Sequence, residues 1–158
     1  MLSSSAFHYA FILGTHPELS FLEISAVLQS QHITPVVFSR HAHVAICETN
    51  TPLPHEELMA QLGGTIKIVE LLEKPATDDA ILDLLFQHLR DDARLVFGFS
   101  CYSMERDVCS PRDVARLQKI GKTIKQSLKR QNIPSRFVVS REPALSSVIV
   151  EKELFAKQ

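Results

Sequence analysis

The sequence predicts an α+β fold built in two units, and three observations carry that prediction. Strand-period and helix-period segments follow one another in the order β-α-β-β-α-β over residues 1–75. A second set of elements begins beyond the joint Lys74-Pro75-Ala76-Thr77. Charge divides at the same place: residues 1–75 hold three Lys/Arg against seven Asp/Glu, and residues 76–158 hold fourteen against eleven, in a chain of net charge −1. At 158 residues, 45% apolar and 22% charged, the chain has enough apolar mass for one full core or two small ones, and its composition is not that of a disordered segment.

Residues 6–13 alternate Phe7, Tyr9, Phe11 and Leu13 with small or apolar neighbours, the pattern of a central strand. Gly14 ends it. Thr15 and Glu18 have capping-box spacing with Pro17 in the first turn, so a helix is predicted from there to Ser30. Its apolar residues make two stripes, Leu19, Leu22 and Ala26 on one and Phe21, Ile24 and Leu28 on the other, which predicts two burial surfaces. Strands over 33–39 and 42–48 come next, close enough through Arg40-His41 for a hairpin, although the turn has neither Gly nor Asn. A short helix over 54–61 leads through Gly63-Gly64 into a β-branched run, 65–72. That order is the split βαβ, or ferredoxin-like, unit, placed at 1–75.

In the second unit, 76–158, Thr77 caps a predicted helix over 78–90. A strand (94–102), a long helix (112–131), a strand (136–140) and a helix (145–156) follow.

Three cysteines (Cys47, Cys101, Cys109), odd in number and without CxxC spacing, argue against a disulfide framework and for a reducing compartment. The expected location is cytoplasmic. The first residues lack the cationic start and long apolar run of a signal peptide, and no stretch has the length of a membrane span.

The most informative feature for function is the run 112–141. It carries Arg112, Arg116, Lys119, Lys122, Lys125, Lys129, Arg130, Arg136 and Arg141 against the single acid Asp113. A solvated helix face ordinarily mixes signs to make i,i+4 pairs. This one does not, which is the footprint of a polyanion-binding surface. Downstream, Arg136-Phe137-Val138 and the hydroxyl-rich Leu145-Ser146-Ser147-Val148 form a basic strand followed by a helix start whose free amides suit a phosphate, or whose serines simply cap it.

Four stretches together resemble the N-terminal half of the tRNA guanine-N2 methyltransferase family: 11–28 (FILGTHPELSFLEISAVL), 62–68 (LGGTIKI), 120–128 (IGKTIKQSL) and 136–152 (RFVVSREPALSSVIVEK). In that family a ferredoxin-like domain precedes a THUMP domain, which grips the acceptor end of tRNA, and a Rossmann-fold methyltransferase domain follows. The basic run and the resemblance together give the expected tRNA contacts as Lys122, Lys125, Lys129, Arg136, Arg141, Ser146, Ser147 and Lys152, of which the last four match or flank the family's Leu-Ser-Ser region. The resemblance also implies a closing strand after 145–156, which the chain does not contain, so the THUMP-like unit is expected to be truncated.

The glycine-rich loop, acidic ribose contact and Asp-Pro-Pro-Tyr-like motif of an S-adenosylmethionine domain are missing from the sequence. No catalytic residue and no cofactor are therefore expected in this chain; S-adenosylmethionine is expected in a methyltransferase domain supplied in cis or in trans. His41, His43 and Cys47 share a strand face, but no fourth ligand has fitting spacing and no metal is expected. Cys101 or Cys109 with His88 lacks an orienting acid, and Gly63-Gly64 reads as a turn. The function expected is tRNA positioning for a remote active site. Its rivals are a catalytic protein in its own right, for which the sequence offers no acid/base pair or cofactor loop, a protein-interaction module with a basic face, and a stand-alone RNA-binding protein.

Overall fold

The computed structural model describes residues 6–71, 95–106 and 109–139. The chain divides into two compact units, Met1–Glu73 with Tyr102–Asp107, and Lys74–Cys101 with Val108–Gln158. Its class is α+β.

The first unit runs β1 (Phe7–Leu13), α1 (Pro17–Ser30), β2 (Val37–His41), β3 (Val44–Thr49), α2 (His55–Gln61) and β4 (Thr65–Glu70). The strands form one antiparallel sheet in the order β2-β3-β1-β4. Each helix thus links two parallel strands that have a third between them. β1 is central because both of its faces are apolar. Tyr9, Phe11 and Leu13 pack with Ala45, Cys47, Ile24, Leu28, Leu53, Leu58 and Leu62 to form the main core. Ala10 and Ile12 point the other way and meet Val44, Ile46 and Tyr102. Tyr102 therefore covers the second face of the sheet, and the Lys67 ammonium lies 5.8 Å from its ring centroid.

Gly63-Gly64 fastens β4 to α1. Both glycine N–H groups donate to the Glu23 carboxylate, at 2.9 and 2.8 Å, while the Gly64 carbonyl accepts from Gly14 N–H and from Ser20 Oγ, each at 2.8 Å. A side chain at Gly64 would collide with Ser20.

The second unit contains β5 (Leu95–Gly98), α3 (Pro111–Arg130) and β6 (Ser135–Val138). β5 and β6 are parallel, a pairing that requires a crossover, and α3 supplies it. Ile120, Ile124 and Leu128 of α3 pack on Phe97, Phe99 and Phe137, and the Phe97 and Phe137 rings stack at 5.2 Å. Helices expected over 78–90 and 145–156 lie outside the described residues.

α1 and α3 end in the same way. The chain reads Leu28-Gln29-Ser30-Gln31-His32-Ile33 after one and Leu128-Lys129-Arg130-Gln131-Asn132-Ile133 after the other. His32 (φ 57°) and Asn132 (φ 58°) turn into the left-handed region. Ile33 N–H then donates to the Leu28 carbonyl and Ile133 N–H to the Leu128 carbonyl, each at 2.9 Å. With His32 N–H on Gln29 and Asn132 N–H on Lys129, both are Schellman caps, usually built on glycine.

Four expectations need correction. The N-cap of α1 is His16, not Thr15, and no side chain caps it; Glu18 instead pairs with Arg40 at 3.2 Å. The hairpin turns two residues later than expected, at Ala42-His43, with Ala42 at φ 46° taking the strain that a Gly or Asn would avoid. Of the two apolar stripes on α1 only one is buried, for Leu19 and Leu22 are 66% and 64% exposed. Finally, Cys101 and Cys109 form a disulfide across a separation of eight residues, against the expectation from cysteine number and spacing. A loop that short, closed covalently, is worth about 2.5 kcal/mol on the chain-entropy account.

Candidate nucleic-acid interface

α3 owes its phase to its start. Ser110 caps it, with the hydroxyl accepting from Asp113 N–H at 3.3 Å while Ser110 N–H and Oγ donate back to the Asp113 carboxylate at 3.0 and 2.6 Å; Pro111 occupies the first turn. The one acid in the helix is thereby committed to the cap. Beyond it, at about 100° per residue, the exposed Arg112, Arg116, Lys119, Lys122, Lys125, Lys129 and Arg130 spread over about 180° of the helix. Leu117, Ile120, Gly121, Ile124 and Leu128 fill about 100° on the opposite side without overlap. Among the described residues, no ion pair involves a cation of this face.

Of the eight residues expected to contact RNA, Lys122, Lys125 and Lys129 share this exposed face. Arg136 does not join them. Phe137 points at α3, where a side chain at Gly121 would strike its ring, so strand alternation puts Arg136 on the other face of β6. Arg141, Ser146, Ser147 and Lys152 lie outside the described residues.

Sequence reading missed the concavity at the end of the helix. Lys125 and Lys129, one turn apart, join Asn132, Ile133, Pro134 and Ser135 around a notch of about 340 Å³. The signal that marked it was the Gln-Asn-Ile-Pro segment, where a left-handed Asn ends the helix.

The other constellations come apart. Cys47 faces the core, fully buried, and burial pushes its thiol up to about 11. His43 lies in the hairpin turn with Nδ1 3.1 Å from the Gly14 carbonyl, and His41 closes β2. The Cys101 and Cys109 sulfurs are bonded to each other, and His88 lies outside the described residues. The Gly63-Gly64 amides both donate to the Glu23 carboxylate, in keeping with a turn. Among the described residues no helix is long and apolar enough to cross a membrane. Comparison of the chain with family models, with curated proteins and with solved structures gives no match.

Proposed function

We propose that this chain is the tRNA-binding region of an S-adenosylmethionine-dependent tRNA (guanine-N2) methyltransferase of the cytoplasm. In this reading a ferredoxin-like domain accompanies a THUMP-like domain, and the chain holds tRNA at a set distance from a catalytic domain supplied in cis or in trans. That domain, not this chain, would bind the cofactor. The carrying observation is the exposed cationic side of α3, seven basic residues whose only helical acid is committed to the N-cap. The sheet order β2-β3-β1-β4, with its two parallel-strand crossovers, supports the ferredoxin-like part. The motifs around Gly63-Gly64 and the Arg-Phe-Val strand support the family.

A cytoplasmic location and the Cys101–Cys109 bond pull in opposite directions, because cytosolic thiols are kept reduced. We place the protein in the cytoplasm on the strength of the RNA reading, where the cellular thiol pool would reduce this pair to thiols.

Titration of tRNA against poly-glutamate at matched salt tests the reading. About four phosphate contacts give a slope of log K against log salt of roughly −3 to −4. tRNA is expected to bind with that slope and ahead of poly-glutamate. Preference for poly-glutamate would make the face a protein-interaction surface, and salt-insensitive tRNA binding would remove the electrostatic basis.

A further inference from the structure

The two helices that end in matching Schellman caps each leave a notch beside the cap. The one after α1, about 420 Å³, is bounded by Ser25, Gln29, His32, Ile33, Thr34 and Pro35, among others. The one after α3, about 340 Å³, is bounded at corresponding positions by Lys125, Lys129, Asn132, Ile133, Pro134 and Ser135. The molecule contains its own control: the same backbone device appears once with neutral side chains on the helical wall and once with two lysines.

That difference has an energetic sense. Like charges at i,i+4 on a helix repel by about 0.2–0.5 kcal/mol. Lys125 and Lys129 stand in that relation over one concavity, and no acid among the described residues pairs with either. An anion between them would turn repulsion into attraction. The C-terminal end of a helix disfavours an anion, but the carbonyls of Ser127, Leu128 and Lys129 already accept hydrogen bonds from the cap, which weakens that opposition. Yet a bare phosphate would leave the floor unused. Ile133 is half-buried against the core and Pro134 is exposed beside it, giving an apolar surface bounded by the Asn132 amide and the Ser135 hydroxyl. The volume falls at the lower end of the roughly 300–1,000 Å³ range of small-ligand sites.

We propose that this notch receives one unpaired nucleotide of RNA, with the phosphate between Lys125 and Lys129, the base against Ile133 and Pro134, and the base edge toward Asn132 and Ser135. The inference rests on the RNA reading of α3 and adds a requirement to it. A duplex offers a convex, paired surface that cannot enter a notch, so only a splayed nucleotide can use the floor.

The test measures fluorescence anisotropy of the full chain with a labelled five-nucleotide single strand and with a blunt RNA duplex. Lys125→Ser with Lys129→Gln gives this notch the wall of its neutral counterpart. Lys119→Ser with Lys122→Gln removes the same charge from the helix outside the notch. Asn132→Gly keeps both lysines and suits the left-handed turn while deleting the amide. Thermal melts establish that each variant is folded. The expected result is at least a tenfold loss for the single strand with the notch pair, a loss of threefold or more with Asn132→Gly, and threefold or less with the control pair. On the duplex the two pairs should act alike. Equal weakening of single-strand binding by both pairs would overturn the nucleotide site and leave the RNA reading standing. Failure of the unaltered chain to bind either RNA would overturn both.

Discussion

Gly121 has no side chain because the Phe137 ring occupies the space one would need. Alanine is the better helix former by about 1 kcal/mol, yet Gly121→Ala is expected to lower stability, since overpacking a core costs about 1–3 kcal/mol and the ring is held by its stack on Phe97. Urea unfolding of Gly121→Ala, Phe137→Leu and the double variant checks this. The double variant should recover part of the loss, and additive losses would mean that the two positions do not touch. Cys47 gives a second expectation. Its thiol is raised from 9.0 to about 11 by burial, so the folded chain holds this proton more tightly than the unfolded one. Stability from this group is complete below about pH 9 and is lost as pH rises toward about 11, where only the unfolded thiol ionises. Cys47→Ala should remove that portion of the alkaline decline. Parallel curves for the two proteins over the same range would contradict it.

Among the elements, the paired helix ends make an ordered prediction. A left-handed residue with a side chain costs about 1–2 kcal/mol, offset by the extra entropy, about 0.5–1 kcal/mol, that glycine loses on folding. Substitution by glycine should therefore raise stability at both His32 and Asn132, and more at His32, because the short polar side chain of asparagine can hydrogen-bond locally and tolerates this conformation better. Calorimetric midpoints of the two single variants give the order; a decrease at either would show the side chain itself to be bonded in place. These elements also show what could be read in advance. The ends of α3 were legible within a residue or two, from Pro111 and the basic last turn, and its buried face from the spacing of Leu117, Ile120, Ile124 and Leu128. In α1 the same periodicity described two stripes equally well. Which of them was covered depended on where the sheet lay, and that is not written in the period.

At the scale of the molecule, the strand and helix order of the described residues was readable because each segment declares its own period, and the two-sided burial of β1 because both of its faces are apolar. Contacts that depend on how a turn brings residues together were not. Cys101 and Cys109 pair because a short excursion returns them to one another, and a seven-residue gap has no sequence signature. The notch at the end of α3 needed Lys125, Lys129 and Ser135 to converge around a turn; the Gln-Asn-Ile-Pro segment marks the turn but not the convergence. Of the eight residues singled out, only the three on α3 share a surface among those described.

Tyr102 belongs, in space, to a sheet whose last strand ended some thirty residues earlier in the chain. The two units are therefore not separable by one cut. A gene fragment ending at Pro75 would carry every strand of the sheet and leave Ala10, Ile12, Val44 and Ile46 facing water on one side. Such a fragment is expected to bind a fluorescent dye that reports exposed apolar surface, while the whole chain does not. A dark, monomeric fragment would show that Tyr102 is dispensable. Otherwise the boundary that composition draws at Lys74-Pro75 is the wrong place for an engineer to divide this protein, because the lid of its first half is encoded in its second.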